Sequence, residues 1–545
     1  MNTIRTSLNK FFSSHNINWQ LLVFLVLFLN VKLLVKIAAV VLLYCLRPRL
    51  RFGFHWKNPR LPLFYPLIIG LALLNAVFNQ LIFQKSYLFV LLFGVGIWML
   101  CLLTAHQIKS IVTTTDTAVI YRTLTVFFLL NAGVSAIQYL RIVLETGAVN
   151  PFRYQGMYQK YFISTGDYIK GLSFDTSTTN AVLNAFGAVF FLYTRNWLLL
   201  LVCTCTLLVT GSNLVNVVLY ATFLLLFFFR STRDQKSMMV VCGALLAVFV
   251  TKISPQNNQY VINGLEKIFR VHPKEKTRLA KETDVRNLPD AALTLEQRKE
   301  KIALVYLDSL RSVVAKRIAR QATVNPGFAT KYIWSEKLTI PEPSIHSAPF
   351  QSRNDTSAFR RELLQLMASN PTFYRQDLQY EQAALPGKLL AALQTGTYLR
   401  GHPQQLLTGT GLGNFSSKMA FKATALQFAG GFPKQLAYIN PVFSVNHLSL
   451  YTHFFSKRAN AHSITNTPNS VYDQLLGEYG LPGFTGFLLF YIGFFAKHYK
   501  KLTYGLPLLF LLLNFLLIDY WFEQLSIIVL FEVLLFLNIK ETAQA

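Results

Sequence analysis

The feature that most constrains this chain is the recurrence of apolar runs about 17–25 residues long, the length a helix needs to cross a bilayer. Such runs lie at about 62–81, 85–104, 117–139, 179–194, 196–211, 213–229, 237–252, 471–495, 503–518 and 523–538. An earlier run from Leu21 to Leu46 is interrupted by Asn30, Lys32 and Lys36, and reads as one long helix or a hairpin. Basic loops punctuate the runs: Arg47, Arg49, Arg51, Lys57 and Arg60; then Arg230, Arg233 and Lys236; then Lys497, Lys500 and Lys501. The excess of Lys and Arg in cytoplasmic loops puts all three inside. Alternation then puts 140–178 and 253–468 outside, and a hairpin at the start brings both termini inside. The expectation is an all-α polytopic membrane protein with about 12 transmembrane helices. A large, mainly helical external loop domain separates helices 9 and 10. The expected units are an N-terminal membrane domain at 1–252, the external domain at 253–468 and a C-terminal membrane segment at 469–545. No cleavable signal peptide is expected, because residues up to about Asn16 are polar and no small-residue cleavage pattern follows the first apolar run.

The net charge of +27 would suggest nucleic acid in a soluble protein. With 52% apolar residues it reads instead as the positive-inside bias plus a capacity for anionic lipid or anionic substrate. Cys45, Cys101, Cys203, Cys205 and Cys242 all fall in apolar runs, so neither a disulfide framework nor a thiolate metal site is indicated.

The external segment is too long for a plain connection. Apolar residues from Leu293 to Val314 recur at helical spacing between Lys and Arg. That suits a helix at the membrane surface or one packed on its own domain. Residues 321–357 read as loop, and 358–367 and 387–399 as helices. The segment ends at Thr467-Pro468-Asn469-Ser470, where a hydroxyl N-cap followed by proline predicts a helix start; Ser470 with Asp473 offers a second capping register. A helix N-terminus at a membrane surface suits an anion such as a lipid-linked diphosphate, although the same residues would serve an ordinary capped span. Gly409 to Gly413 resembles a phosphate-cradling loop, but no Lys-Ser or Lys-Thr follows as a nucleotide site needs.

Taken in order, these features resemble the O-antigen ligase/polymerase family of bacterial integral-membrane glycosyltransferases. The family's hallmark is a His, then Asn, Ser or Gln, nine arbitrary residues, Gly, two residues, Gly. Asn469-Ser470, nine residues, Gly480, Leu481-Pro482 and Gly483 fit that spacing with Asn in place of His. Upstream, Lys388, His402-Pro403 and Gly409-Thr410-Gly411-Leu412-Gly413-Asn414-Phe415 match an Arg, a His-Pro pair and a glycine-rich stretch, and Gly211-Ser212-Asn213 stands where members carry Gly-Ser-Arg. The resemblance covers the membrane part and the end of the external loop, but not about 253–380.

The resemblance implies transfer of a glycan from an undecaprenyl-diphosphate carrier to an acceptor hydroxyl, ligase-like or polymerase-like, on the outer side of the bacterial inner membrane. The implied partners are the carrier-linked donor, a lipid or glycan acceptor and membrane lipids; neither metal nor cofactor is implied. The family's base and its two diphosphate-holding arginines fall at Asn469, Lys388 and Asn213. His462, seven residues before Asn469, is the candidate replacement base, with Asn469 capping the helix and hydrogen-bonding donor or acceptor. Lys388, Arg400, Asn213 and Ser470 are the candidate substrate contacts. Arg153 and Lys170, interleaved with Tyr154, Tyr158 and Tyr161, suit sugar and phosphate, as they would any membrane-surface loop. The substitutions also fit a catalytically inert scaffold of a glycan-assembly complex. A transporter or flippase stands further back, because it should show paired halves, broken helices and mid-span charges.

Overall fold

The computed structural model describes residues 17–29, 32–46, 52–54, 60–154, 165–254, 301, 385–425, 431–454 and 464–544. Among them every regular element is a helix and there is no strand. The first apolar run is two helices, α1 (Trp19–Leu29) and α2 (Leu33–Leu46), packed on each other. At 11 and 14 residues they rise about 16 and 21 Å, short of the ~30 Å hydrocarbon layer. Next come α3 (Phe64–Phe78), α4 (Lys85–Thr114), α5 (Thr117–Thr146), α6 (Ser177–Tyr193), α7 (Trp197–Val209), α8 (Asn213–Phe229) and α9 (Arg233–Val248).

The described part of the external segment holds α10 (Gly387–Gly401), α11 (Pro403–Thr408), α12 (Lys418–Ala423), α13 (Pro441–Asn446) and α14 (Leu448–Phe454). The expected amphipathic stretch at 293–314, apart from Lys301, and the expected helix at 358–367 lie outside the described residues. The chain closes with α15 (Val471–Gly486), α16 (Gly505–Phe515), α17 (Trp521–Gln524) and α18 (Ser526–Gln544). Among the described residues, four helices are long and apolar enough to cross a bilayer: α4, α5, α9 with its extension to Ile253, and α15 with its extension to Ala496.

α18 runs through the core and packs on α1, α4, α6, α16 and α17, which is why Ser526 to Asn538 are all buried. Around it Phe64, Trp98, Tyr491 and Phe522 stack at 5.3–5.8 Å, mostly edge to face. One carboxylate sits in this aromatic core. Glu532 Oε1 accepts from Tyr65 Oη at 2.5 Å and Tyr491 Oη at 3.3 Å, so its burial is matched by hydrogen bonds.

The contacts sort the described loops into two sets. Lys540 Nζ donates to the carbonyls of Val112 at 3.1 Å and Thr115 at 2.5 Å. Arg230 Nη2 donates to Leu502 O at 3.2 Å. Lys109 and Lys497 lie over the rings of Phe536 and Phe494 at 4.7 and 5.1 Å, and the two rings meet edge to face. This set carries the basic loops at 230–236 and 497–501. The other set joins Asn150 to Ile253, Asn79 to Gly409, and Lys388 to Ile518.

Candidate functional site

The start of α15 is built differently from its sequence expectation. The helix begins at Val471, with Ser470 at the N-cap position (φ −160°, ψ 133°), and the Ser470 hydroxyl makes no capping bond. Thr467 Oγ1 accepts instead from the Asn469 N–H at 3.3 Å, a local turn ahead of the helix. Nor does Asn469 cap. Its Nδ2 donates to Asp519 Oδ1 at 3.0 Å, because a side-chain amide can donate to a charged carboxylate from the neighbouring connection. The Val471 N–H is likewise taken, by Leu516 O at 2.9 Å. This helix start is docked on the α16–α17 connection rather than left open.

Ten residues on, α15 breaks. Gly480 has φ 65°, ψ −165°, and Gly409, at the end of α11, has φ 71°, ψ 172°; only glycine adopts this region readily. The break frees carbonyls that the glycine-rich loop then uses. Thr410 N–H donates to Gly477 O and Gly411 N–H to Glu478 O, both at 3.0 Å. A Cβ on Gly409 would stand 2.2 Å from Glu478 O, and one on Gly480 would stand 2.7 Å from Leu406 O. The two glycine motifs are therefore one unit, fitted backbone to backbone. The loop also turns a donor on a carboxylate: Phe415 N–H reaches Glu478 Oε1 at 3.4 Å, and Glu478 is fully buried. What resembled a phosphate cradle holds a glutamate of its own chain.

Around this unit lies a polar cluster. Lys388, in the first turn of α10, donates from Nζ to Asn469 O at 2.5 Å and Ile518 O at 2.8 Å. Asp519 accepts on Oδ1 from Asn469 Nδ2 and, at 2.7 Å, from the Tyr520 N–H; Oδ2 accepts from Gln524 Nε2 at 2.5 Å. Gln474 Nε2 donates to Glu523 Oε1 at 2.7 Å. Lys36 of α2 is buried and donates to the Gln524 carbonyl. Lys418 and Lys422, one turn apart on α12, lie within electrostatic reach of Asp175, Asp519 and Glu523. Several buried polar atoms here have no hydrogen-bond partner among the described residues: Asn469 Oδ1, Asp473 Oδ2, Gln474 Oε1, Glu478 Oε2 and Gln524 Oε1.

Burial sets the electrostatics of the α10–α14 groups. It pulls the Lys388 amine down to about 7, against the charges of Asp519 and Asp473. Burial also pulls on Lys418, but Asp519, Asp175 and Glu523 outweigh it and leave that amine above its ordinary value. Lys422 is held below its ordinary value, first by burial and then by Lys418. His447 is pulled down to about 3 by burial alone; Thr395 Oγ1 lies 3.3 Å from its Nε2 and the Phe415 ring packs against it edge-on.

Comparison with protein-family models, with curated proteins and with solved structures finds no match. The site therefore stands on its geometry.

Of the residues singled out in the sequence, Lys388, Asn469 and Ser470 meet here. His462 lies outside the described residues. The others are not joined to the cluster by hydrogen bonds among the described residues. Arg400 is exposed in the last turn of α10. Arg153 Nη2 donates to Lys252 O at 2.6 Å, and Lys170 precedes the Gly171 turn packed on Asn131 and Asn180. Asn213 opens α8 next to Gly211.

Sequence reasoning passed over Lys418, Lys422, Asp519, Glu523, Gln474 and the buried His447. One signal was available. Lys418-x-x-x-Lys422 and Asp519-x-x-x-Glu523 are like-charge pairs at i,i+4 spacing, a repulsive arrangement unless something of opposite charge faces it.

Proposed function

We propose that this chain transfers a glycan from an undecaprenyl-diphosphate carrier to an acceptor hydroxyl, at the end of the helix bundle opposite the basic loops. The observation that carries the reading is that the two stretches resembling the O-antigen ligase/polymerase motifs interlock at Gly409 and Gly480. They do so beside a cluster of lysines and carboxylates. In the reaction the acceptor oxygen attacks the anomeric carbon, the bond from that carbon to the phosphate oxygen breaks, and the diphosphate leaves with the electron pair. Lys418 and Lys422 are placed to hold the diphosphate charge. Lys388 positions the site by tying Asn469 to the connection that carries Asp519.

The same reading carries the finer topology: about twelve membrane passes, both termini and the basic loops cytoplasmic, residues 253–468 external, and the bacterial inner membrane as location. Reporter fusions at residues 410 and 440 are expected to report the external side, and fusions at 231 and 499 the cytoplasm. A cytoplasmic signal from 410 or 440 overturns the reading.

The amine of Lys388 gives a pH prediction. At about 7 it is partly neutral in the empty site, and a bound diphosphate favours its charged form. Lowering the pH from 8 to 6 fills that proton in advance. The ratio of undecaprenyl-diphosphate affinity, wild type over Lys388→Met, is expected to rise as the pH falls, and the ligand's own titration cancels in the ratio. Lys388→Ala is expected to cut transfer roughly ten- to a hundredfold, the worth of a charge-assisted contact of about 1.5–3 kcal/mol. A ratio flat with pH, with normal transfer in the Ala variant, removes Lys388 from the site.

A transporter reading draws on one observation of its own. α15 is broken at Gly480, with Asp473 and Glu478 buried before the break and Lys36 buried against the Gln524 carbonyl. Broken helices with buried charges are parts of transport sites. Under that reading a deletion strain makes its glycans but leaves them on the wrong side of the membrane. Under the transferase reading it accumulates carrier-linked glycan on the outer side.

A further inference from the structure

The arrangement of amides in the cluster says what kind of ligand completes it. Asn469, Gln474 and Gln524 each spend their side-chain N–H on a carboxylate: Asp519 for Asn469 at 3.0 Å and Gln524 at 2.5 Å, and Glu523 for Gln474 at 2.7 Å. In each of these bonds the amide nitrogen is the donor and the carboxylate oxygen the acceptor. The oxygen ends Asn469 Oδ1, Gln474 Oε1 and Gln524 Oε1 then remain, buried and without partners among the described residues. Such orphaned acceptors are destabilising unless a donor arrives. They are drawn from both sides of the site, α15 and the connection that holds α17. A ligand rich in hydroxyl groups, presenting several O–H donors at once, is the complement.

The two carboxylates are not equivalent. Asp519 accepts from Asn469, Tyr520 and Gln524, so both its oxygens are engaged. Glu523 is held on Oε1 alone, by Gln474, and its second oxygen has no hydrogen bond among the described residues. Glu523 is also only partly buried, so a ligand can reach it. Lys418 and Lys422 lie within electrostatic reach of it, where the diphosphate of the donor is proposed to sit.

Resting on the transferase reading, we propose that Asn469, Gln474 and Gln524 bind the acceptor sugar through its hydroxyls and that Glu523 is the base that deprotonates the attacking one. The acceptor O–H bond breaks as the oxygen bonds to the anomeric carbon. The proton passes to Glu523 Oε2, the electron pair of the broken sugar–phosphate bond leaves with the diphosphate, and Glu523 returns its proton to water. This assigns to the α16–α18 connection the role that the resemblance gives to a histidine at Asn469. Gln474 would serve at both ends: its oxygen receives a sugar hydroxyl, and its N–H positions the base through Glu523 Oε1.

The test uses membranes of a strain deleted for this gene, which under the transferase reading hold both carrier-linked glycan and acceptor. Purified full-length protein is added and the released undecaprenyl diphosphate is measured; binding of undecaprenyl diphosphate to the same protein in nanodiscs is measured alongside. Glu523→Gln is expected to lose roughly 10²–10⁴-fold in release rate, the usual worth of a general base, while its affinity for undecaprenyl diphosphate stays within about threefold. Glu523→Asp, which keeps a carboxylate one methylene shorter, is expected to fall between Gln and wild type. Gln474→Leu is expected to lower the rate about tenfold without changing that affinity, and it decides the matter if Glu523→Gln fails to fold. Release by Glu523→Gln within about threefold of wild type overturns the base, and an unchanged rate in Gln474→Leu overturns the orienting contact. A wild-type protein that neither binds undecaprenyl diphosphate nor releases it from these membranes overturns the transferase reading itself.

Discussion

Gly480→Ala is expected to destabilise this protein by roughly 3–5 kcal/mol, the range of the most disruptive single substitutions. Two independent costs add at this position. At φ 65°, ψ −165° the backbone lies in a region that costs a residue with a Cβ on the order of 1–3 kcal/mol. The added methyl would also stand 2.7 Å from Leu406 O and 2.9 Å from Gly409 N, both backbone atoms that cannot swing aside. Gly409→Ala meets Glu478 O at 2.2 Å and is expected to be at least as severe. By contrast Gly396→Ala, on the open face of α10 with nothing within 4 Å, is expected to be neutral or slightly stabilising. Thermal unfolding in detergent, followed by fluorescence-detected size exclusion, checks all three. A Gly480→Ala protein as stable as wild type would mean that α15 is not broken where the structure breaks it.

The second large effect is electrostatic. Exchanging both Lys418 and Lys422 for Gln leaves Asp175, Asp519 and Glu523 without the cations in their electrostatic reach on α12. Each lysine is expected to contribute about 1.5–3 kcal/mol to a bound diphosphate. The double variant should then bind undecaprenyl diphosphate at least a hundredfold more weakly and transfer glycan at a rate near background. Lys418→Gln alone is expected to cost more than Lys422→Gln. The carboxylates hold the Lys418 amine above its ordinary value, whereas Lys422 is held below it, by burial first and then by Lys418. Isothermal titration in nanodiscs measures the binding, and a double variant that binds as tightly as wild type removes α12 from the site.

How far these features were legible in the sequence differs by kind. Helix positions followed from hydropathy, because an apolar run in lipid has no alternative to satisfying its own backbone. Residues 213–229 and 471–496 are helical close to where the runs place them. Helix ends were less legible: α4 and α5 run on to Thr114 and Thr146, past the last apolar residues of their runs, because polar residues outside the hydrocarbon layer still propagate a helix. The start of α15 falls in the Ser470 register, yet neither Ser470 nor Asn469 makes a capping bond. Local rules count only the chain's own neighbours, and Asn469 found its partner 50 residues away at Asp519. The same limit hid the site. Gln474 and Glu523 are 49 positions apart, and Lys388 meets Ile518 across 130. The glycines were visible as a spacing, but that Gly409 and Gly480 fit one another needed the fold.

The central claim is that the cluster between α12, α15 and the α16–α18 connection works on a lipid-linked diphosphate. Gel analysis of surface glycans in the deletion strain, complemented with wild type or with the Lys418→Gln, Lys422→Gln double variant, tests it most directly. Loss of the mature glycan and accumulation of carrier-linked glycan are expected in the deletion strain, with full recovery by wild type and no recovery by the double variant at equal expression. Unchanged glycans on deletion, or full recovery with the double variant, would contradict it.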